Sequence, residues 1–287
     1  MKWTGTQNKV IEFWHSRQNK PEIKFHSHTW YEIFYFHGGK CTYLIGDQVY
    51  SLYPGDLIIM NGMTLHRSKI FKEEDYIRSV IHFDPTYFHK VLRPLGMEEM
   101  LQPFEKLQSF RITLDIKGRK EVEDLLKRMA DFQQKADDVS HYQYNLTFLN
   151  LLVSVSSFCK KTMKDVREIS SEKENHVRCI MAFIEKNYME ELSMQMLEEE
   201  LHLSKYYLSK IFKAVTGVTV FNYLYQRRIN QAKILFVLEP DKFVTEVCYT
   251  VGFKHLSHFS KIFKQLEGCS PEAYRQSKKE NITITNK

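Results

Sequence analysis

The sequence has no apolar run long enough to cross a membrane. Its longest apolar stretch, Phe148 to Phe158, is interrupted by serine and asparagine, and it is shorter than the roughly 20 residues that a spanning helix needs. The segment from Met1 to Lys24 also lacks the continuous apolar region of a secretory signal. We therefore expect a cytoplasmic protein with no membrane partner.

Cysteine is scarce, and the spacing of the cysteines fits neither a redox pair nor a zinc site. The five cysteines form no C-x-x-C pair and no zinc-finger pattern: Cys41, Cys159, Cys179, Cys248 and Cys269. Free thiols in a reducing cytosol are the simplest account of this pattern. We expect neither disulfides nor a bound cofactor.

The excess of positive charge is also small. A net charge of +6 over 287 residues excludes a generic polycation. From His176 onward there are 16 Lys and Arg against 12 Asp and Glu, so most of the excess lies in the last part of the chain. Local charge should therefore decide what the chain binds, and its length predicts two or three domains.

A repeated pentapeptide, Ser-Lys-Ile-Phe-Lys, is the most informative feature that the chain does contain. It occurs at Ser209–Lys213 and at Ser260–Lys264, and each copy is followed by three residues and a glycine. Apolar residues around both copies recur at i, i+3, i+4 and i+7, which is one face of an α-helix. The opposite face of each helix carries polar and cationic residues.

A second short helical pattern precedes each copy, across turns at His202–Ser204 and Gly252–Lys254. The sequence therefore predicts two helix-turn-helix units. Between them, Phe221–Leu238 is predicted as one helix that ends at Glu239-Pro240. Such a helix, about 27 Å long, could hold two recognition helices about one duplex turn, roughly 34 Å, apart.

Residues from about His176 to Gln276 resemble the DNA-binding domain of AraC-type transcription regulators. The recurring phrases of that family are Leu203-Ser204, Tyr207-Leu208-Ser209, Thr216-Gly217, Phe221, Arg228-Ile229, Ala232, Val251-Gly252-Phe253, His258-Phe259-Ser260, Phe263-Lys264, Gly268, Ser270-Pro271 and Tyr274-Arg275. Glu200 departs from the pattern, since the family commonly has a small residue there, and we interpret the acidic run at Glu198–Glu200 as a solvated face. The resemblance implies a transcription regulator that binds double-stranded DNA and has no catalytic residues.

The resemblance also assigns contacts with DNA residue by residue. The side chains expected to face DNA are Tyr206, Ser209, Lys210 and Lys213 in the first unit, and Leu256, Ser257, His258, Lys261 and Lys264 in the second. Lysine can donate to guanine, and Leu256 can contact a thymine methyl group. Lys213 and Lys264 are expected to contact phosphates or to be solvated. An activator's contact with RNA polymerase is compatible with the resemblance, and the sequence does not decide between activation and repression.

The first 110 or so residues are rich in aromatic and β-branched residues with period-two segments. The predicted strands are Phe25–Phe36, Cys41–Ile45, Gln48–Leu52, Leu57–Met60 and Ile77–Phe83. Gly46-Asp47 has the glycine-first composition of a type II′ hairpin turn. The fold class expected for the chain is therefore α+β multidomain, with a small β-barrel, following helices and an all-α domain that holds both helix-turn-helix units.

Residues in this segment resemble the double motif of cupins, whose fold is a double-stranded β-helix barrel. The matching residues are His26, His28, Glu32, Gly39, Pro54-Gly55-Asp56 and His66. Period-two alternation predicts that His26, His28, Trp30 and Glu32 share one strand face. Together with His66 they are expected to line a pocket for a small-molecule effector, and family habit and the neighbouring aromatic residues favour a carbohydrate.

Two other functions remain open. The same histidines and carboxylate are a reasonable transition-metal set, so the alternative is a metal-dependent cupin enzyme fused to a DNA-binding domain. The second motif is altered, with Asn61-Gly62-Met63 where proline is frequent, and we expect neither metal nor catalysis. The other alternative is a constitutive DNA-binding regulator whose barrel is only a scaffold.

Two helical segments separate the barrel from the DNA-binding part. Glu121–Gln134 and Tyr142–Lys161 both carry apolar stripes that either cover the barrel or associate between chains. In the second segment the stripe is Leu146, Leu149, Leu152, Val153 and Phe158, and the resemblance favours a homodimer there. The predicted boundaries are 1–114 for the sensor, 115–163 for the dimerisation segment, 164–175 for a linker, 176–278 for the DNA-binding domain and 279–287 for a tail.

Overall fold

Two antiparallel sheets form the first half of the chain. The computed structural model describes residues 10–17, 25–70, 76–107, 109–162 and 171–285. The strands in these ranges are β1 Ile11–Arg17, β2 Tyr31–Gly38, β3 Cys41–Ile45, β4 Gln48–Leu52, β5 Asp56–Asn61, β6 His66–Ile70, β7 Ile77–Phe83 and β8 Ser109–Thr113. One sheet has the order β1-β7-β2-β5-β8, and the other has the order β4-β3-β6.

An aromatic core fills the space between the two sheets. Phe34 and Phe36 of β2 belong to the same buried cluster as Tyr43 of β3 and Tyr50 of β4. Alternation along β2 sends Phe34 and Phe36 into this interior and sends Tyr35 to the opposite face. The predicted small barrel is therefore confirmed, and its interior is packed with side chains.

Helices cover the outer face of the five-stranded sheet. They are α1 Pro85–Leu92, α2 Gln102–Lys106, α3 Ile116–Gln133 and α4 Asp138–Thr162, with short 3-10 turns at Arg93–Leu95 and Glu98–Leu101. Val122 and Met129 of α3 and Leu152 of α4 are fully buried against this sheet. The apolar stripe of α3 therefore covers the barrel, and Leu152 belongs to the core and not to an exposed stripe.

The second half of the chain is helical. Its helices are α5 Glu172–Asn187, α6 Met194–Leu201, α7 Lys205–Thr216, α8 Val220–Leu238, α9 Val244–Thr250, α10 Leu256–Glu267 and α11 Pro271–Thr285. Both predicted helix-turn-helix units are confirmed, as α6–α7 and α9–α10, and α8 connects them. The glycines that follow the two repeats, Gly217 and Gly268, end α7 and α10 in the left-handed conformation, both at φ 79°.

The outer face of the three-stranded sheet is covered by the first helix-turn-helix unit. Leu44 of β3 and Val49 of β4 share one buried cluster with residues of α5, α7 and α8, as do Phe25 and Leu65. The second unit has a separate core around Phe236, Phe259 and Phe263. The barrel is therefore enclosed between α1–α4 on one side and the first helix-turn-helix unit on the other.

The predicted strand Phe25–Phe36 is wrong in its first half. Residues 25–30 form a bend with a single bridge, His26 to His66, and regular pairing begins at Tyr31. The sequence pattern also missed β1, β6 and β8. The predicted hairpin at Gly46-Asp47 is present, with Gly46 at φ 55° and with Asp47 outside the left-handed region, as a type II′ turn requires.

The segment between the halves is only partly described. Residues 163–170, which hold most of the predicted linker, lie outside the described residues. Ser171 caps α5 through a reciprocal capping box with Glu174, so the end of the predicted linker forms the first turn of this helix. Among the described helices, none is both long and apolar enough to traverse a lipid bilayer.

Candidate functional site

Glu32 is the centre of a histidine cluster at one end of the barrel interior. Its Oε2 atom lies 3.1 Å from Nε2 of His28, 3.4 Å from Nε2 of His66 and 2.9 Å from Nε2 of His82. Its Oε1 atom accepts a hydrogen bond of 3.3 Å from the hydroxyl of Tyr43. Glu32 is only 2% exposed and His66 is completely buried, so the centre of the cluster is shielded from water.

Glu32 and the three histidines come from three strands and from the bend before β2. Glu32 on β2 is the direct cross-strand partner of His82 on β7, so both point to the same face. His66 begins β6 in the opposite sheet. His28 approaches Glu32 because the chain bends between the two residues.

Backbone carbonyls fix the orientation of two of the imidazole rings. Nδ1 of His28 lies 3.1 Å from the carbonyl oxygen of Trp30, and Nδ1 of His66 lies 2.8 Å from that of Thr64. A carbonyl oxygen only accepts hydrogen bonds, so Nδ1 carries the proton in both rings. The Nε2 atoms therefore point towards Glu32 with their lone pairs when the rings are neutral.

The cluster shifts the pKa values of its members. Burial lowers the pKa of His28, although the contact with Glu32 acts in the opposite direction. Burial alone would raise the pKa of Glu32, but contacts from His28, His66 and His82 outweigh it and hold that pKa well below its usual range. Glu32 is thus an ionised carboxylate among imidazoles, of which His28 favours the neutral form.

The cluster contains most of the predicted ligand-binding residues but not in the predicted way. The shared strand face for His26, His28, Trp30 and Glu32 is wrong, since the first three lie in the bend before β2. The ring of His26 lies 4.2 Å from that of His66, and Trp30 contributes its backbone carbonyl to His28. Sequence reasoning missed His82 and Tyr43, whose positions depend on pairing between distant strands.

Two cavities lie elsewhere, along the junction between the barrel and the helical half. One of about 1110 Å³ is bordered by Tyr53, Arg111, Lys117, Lys161 and Glu174 among others. Another of about 500 Å³ lies between the Gly46-Asp47 hairpin and α8, where Arg227 and Asn230 contribute to its wall. Both open next to contacts between the two halves.

The first recognition helix, α7, exposes the side chains that were predicted to face DNA. Tyr206, Ser209, Lys210 and Lys213 are all exposed, while Leu208 and Phe212 on the opposite face are fully buried. Ser204 caps the helix by accepting a hydrogen bond from the amide of Tyr207. Glu198, from the acidic run, accepts a hydrogen bond of 3.1 Å from the amide of Lys205, so this carboxylate caps the positive end of α7.

The second recognition helix, α10, has the same arrangement. Ser257, His258, Lys261 and Lys264 are exposed, Leu256 is half-buried, and Phe259 and Phe263 anchor the helix in its core. The ring of His258 lies edge-on to Tyr225 and Phe253, at 5.2 and 5.6 Å between ring centres. His258 is therefore held by packing while its edge stays accessible.

Two family models match the chain in the order that the fold suggests. One is described as an AraC-like ligand binding domain and matches residues 9–142, and the other is described as a helix-turn-helix domain and matches residues 197–277. The chain belongs to the AraC family of transcription regulators. It is therefore a DNA-binding regulator with a ligand-binding domain.

Two similar curated proteins are transcription regulators that align with this chain over most of their length. The uncharacterized HTH-type transcriptional regulator YisR of Bacillus subtilis (strain 168) is 24% identical over 254 residues, which are 86% of this chain and 85% of YisR. The HTH-type transcriptional activator RhaS of Enterobacter sp. (strain 638) is 24% identical over 264 residues, which are 90% of each chain. Both likenesses extend across the barrel and the DNA-binding half.

One relative combines regulation with an enzyme activity. The bifunctional transcriptional activator/DNA repair enzyme AdaA of Bacillus subtilis (strain 168) is 30% identical over 103 residues, which are 36% of this chain and 48% of AdaA. That match is confined to the helix-turn-helix region. The likeness of this AraC-family chain to AdaA therefore concerns DNA binding.

In this AraC-family regulator, Arg228 and Gly252 both contact the loop that follows α5, and these contacts join the two DNA-binding units. Arg228 of α8 is 7% exposed and donates hydrogen bonds of 2.7 Å to the carbonyl oxygens of Tyr188 and Glu190. Gly252, at φ 90°, lies so close to the same loop that a Cβ atom there would be 2.6 Å from the carbonyl oxygen of Met189. The relative orientation of α7 and α10 is therefore fixed by this junction.

The barrel of this AraC-family chain contacts the first unit through polar groups as well. The hydroxyl of Tyr223 donates a hydrogen bond of 2.6 Å to the carbonyl oxygen of Gly46, and Asn230 donates one of 3.0 Å to that of Met63. Lys69 of β6 donates to the carbonyl oxygen of Ala214 near the end of α7. A guanidinium nitrogen of Arg67 lies 3.0 Å from the position that a Cβ on Gly217 would occupy.

Proposed function

We propose that this AraC-family regulator binds its effector in the barrel and that binding changes the position of the first DNA-binding unit. The observation that supports this proposal is the adjacency of His66 and Arg67 on β6. His66 belongs to the histidine cluster, while Arg67 reaches the C-terminal end of α7. A shift of β6 caused by a ligand would therefore act directly on a recognition helix.

We propose a carbohydrate as the class of effector, bound by His26, His28, Trp30, Glu32 and His66. Hydroxyl groups of a sugar match the carboxylate and imidazole groups of the cluster, which can accept and donate hydrogen bonds in one small region. His28 and His82 are about one-fifth exposed, so a ligand can reach the cluster from its open side. An effector shifts DNA affinity only by its differential affinity for the two states, typically about 1–3 kcal/mol.

DNA is proposed to lie across α7 and α10 in successive major-groove segments. Lys210 and Lys261 occupy equivalent positions of the repeat and are both exposed, which suits them to contact bases. Tyr206, Ser209, Ser257, His258 and Leu256 are proposed as further base or phosphate contacts. Lys213 and Lys264, one turn further along, are proposed as phosphate contacts.

A homodimer is proposed to form through α4. One face of this helix is packed on the barrel, but Val139, Tyr142, Leu146 and Val153 are 65, 60, 55 and 45% exposed. These residues recur at spacings of three, four and seven, so they form one continuous stripe on the other face.

The proposed boundaries are those expected from the sequence, with the DNA-binding unit extended to Ser171. RNA polymerase is proposed as a further partner.

The test of the proposed function uses the full-length chain with a fluorescent operator fragment. DNA affinity is measured with and without each sugar of a screened set that stabilises the protein against heat. We expect at least one sugar to change DNA affinity by about 5- to 150-fold. Trp30→Ala and Glu32→Gln should abolish this change while the affinity of the ligand-free protein stays the same.

The two rival functions give different results in the same experiment. A constitutive regulator would bind DNA equally well with every compound. A barrel enzyme would convert its substrate, which analysis of the incubated sugars would reveal, and Glu32→Gln would stop that conversion.

A further inference from the structure

The repeat places different side chains at equivalent positions of the two recognition helices. Tyr207 and His258 each lie two residues before a copy of the pentapeptide, so they are counterparts. Their neighbours Leu208 and Phe259 are both fully buried, so the two helices dock on their cores in the same way. The surroundings of Tyr207 and His258 therefore decide what each unit can do at this position.

In the first unit, this position is engaged within the protein. The hydroxyl of Tyr207 lies 3.2 Å from Nδ1 of His176 in α5, and the centres of the two rings are 5.7 Å apart. Tyr207 is half-buried. Its polar atom is therefore used in a contact with α5.

In the second unit, an aromatic stack holds the same position. The ring of Tyr225 in α8 is nearly parallel to that of Phe253, with an interplanar angle of 19° and 5.8 Å between ring centres. The ring of His258 is nearly perpendicular to both, at 86° to Tyr225 and 75° to Phe253. Phe253 is 3% exposed, and the guanidinium of Arg228 lies 5.5 Å from its ring centre. The stack is thus anchored at the junction between the two units.

The stack leaves the polar atoms of His258 available. This residue is exposed, and its ring nitrogens make no hydrogen bond to any residue in the part of the chain that the structure describes. A neutral imidazole has one donor and one acceptor nitrogen, which suits the groups that base edges present in the major groove. Contacts with two neighbouring rings restrict how the imidazole turns, so less conformational freedom is lost when it binds a base.

We propose that Tyr225 is a positioning residue for base recognition by His258, because its ring holds the imidazole in the orientation that contacts a base. This inference rests on the proposed contact of His258 with DNA, and it adds a determinant that lies outside both recognition helices. Tyr225 acts through His258 and does not itself contact DNA. The two units therefore read DNA differently, since Tyr207 makes no base contact at the equivalent position.

The test uses the full-length chain and a duplex that the wild-type protein selects from a random-sequence pool. Each base pair of this duplex is replaced in turn, and ratios of affinities define the base preference at each position. His258→Ala identifies the base pair that His258 reads, since the preference is lost there. Tyr225→Leu removes the aromatic ring, and we expect the preference at that base pair to fall about 2- to 10-fold, as the cost of ordering one side chain implies.

Two conservative variants serve as matched controls. Tyr225→Phe keeps the ring and should retain the wild-type preference. Tyr207→Phe removes the hydroxyl that contacts His176 and should leave the preference at the base pair of His258 unchanged. In a His258→Ala background, Tyr225→Leu should cause no further loss there, because two residues that act through one contact are not additive.

The base preference is a ratio measured on one protein, so a partial loss of folded protein cancels. Circular dichroism confirms that each variant is folded, and Tyr225→Met replaces Tyr225→Leu if the latter unfolds. Preferences that stay intact in the ring-less variant, with or without a uniform loss of affinity, would overturn the positioning role and leave the proposed contact standing. A His258→Ala variant with unchanged preferences at every base pair would contradict the proposed contact itself, and the inference would fall with it.

Discussion

The hydroxyl of Tyr223 donates a 2.6 Å hydrogen bond to the carbonyl oxygen of Gly46, 177 residues away. Tyr223 is fully buried in the linker helix between the two DNA-binding units, and Gly46 lies at the tip of a hairpin of the barrel. The ring of Tyr223 also packs against Phe25 and Phe212, so barrel, linker helix and first recognition helix meet at this one side chain.

Removal of this hydroxyl should loosen the junction between barrel and DNA-binding unit. We expect Tyr223→Phe to lower the free energy of unfolding by about 1 kcal/mol, since a buried hydrogen bond is lost and the ring is kept. Urea denaturation of the full chain measures this change. Tyr225→Phe is the control, because the ring of Tyr225 stacks on Phe253 and its hydroxyl makes no hydrogen bond to the barrel among the described contacts. Equal losses in both variants would contradict the role of the bond.

A single methyl group added at Gly252 should destabilise the fold, because this residue lies close to the loop after α5. Gly252→Ala brings Cβ within 2.6 Å of the carbonyl oxygen of Met189, whereas Gly268→Ala meets nothing within 4 Å. Both glycines have positive φ, at 90° and 79°, so both variants are strained and only the first also clashes. We expect Gly252→Ala to be less stable than Gly268→Ala by about 1–3 kcal/mol in thermal or urea unfolding. Its DNA affinity should fall as well, because the two recognition helices would no longer keep their spacing.

Lys210 and Lys261 should contribute separately to reading of the operator. Each alanine variant should lose about 1–3 kcal/mol of binding and relax base preference at its own position, measured by fluorescence anisotropy with mutated operators. Affinity of the wild type should fall steeply with salt as phosphate counterions are released. Lys117→Ala, on the exposed side of α3, is the control and should bind DNA as the wild type does. Wild-type affinity that is the same for every DNA sequence would exclude the proposed contacts.

The exposed stripe of α4 should hold two chains together. We expect Leu146→Glu and Val153→Glu to convert a dimer into a folded monomer, as light scattering on a sizing column would show. His141→Glu places a negative charge on an exposed residue about 140° around the helix from Leu146 and should remain dimeric. Leu152→Glu is expected to unfold the barrel, since Leu152 is fully buried. A dimer that survives both stripe variants would place the interface elsewhere.

Acid should destabilise the folded chain partly through His37. Burial, together with the neighbouring His15, lowers the pKa of His37 from 6.5 to about 4. The unfolded chain therefore takes up the proton first, so the stability that His37 contributes is complete above pH 6.5 and is lost as the pH falls towards 4. His37→Gln should make the decline of the unfolding free energy shallower in this range by at most about 1.4 kcal/mol per pH unit. Urea titrations at a series of pH values in EDTA measure it, and an unchanged slope would contradict the assignment.

Local patterns were enough to predict the helical half. The limits of α7, α8 and α10 follow from the apolar spacing, from the glycines after the repeats and from Glu239-Pro240. The predicted limits of α8 agree with the observed ones within one residue. The exposure of Lys210 and Lys261 follows from the same spacing, because burial of Leu208 and Phe259 turns the opposite face outward.

The barrel site could not be predicted in the same way. The alternation that continues from His26 to Glu32 resembles a strand, yet a bend between them brings His28 back to Glu32. The position of His82 depends on the register Glu32 to His82 across β2 and β7, and such a register is set by side-chain burial and by pairing of distant strands. The cover that the first DNA-binding unit forms over Leu44 and Val49 is equally nonlocal.

This shared core limits how the two halves can be recombined. Two barrel residues, Leu44 and Val49, share a buried cluster with Phe212 and Leu224 of the DNA-binding half. Each half alone would therefore expose an apolar surface. A hybrid regulator that grafts this DNA-binding half onto a foreign sensor would expose an apolar patch unless the foreign hairpin supplied matching side chains. The second DNA-binding unit, whose core contains no barrel residue, is the part that could be exchanged most freely.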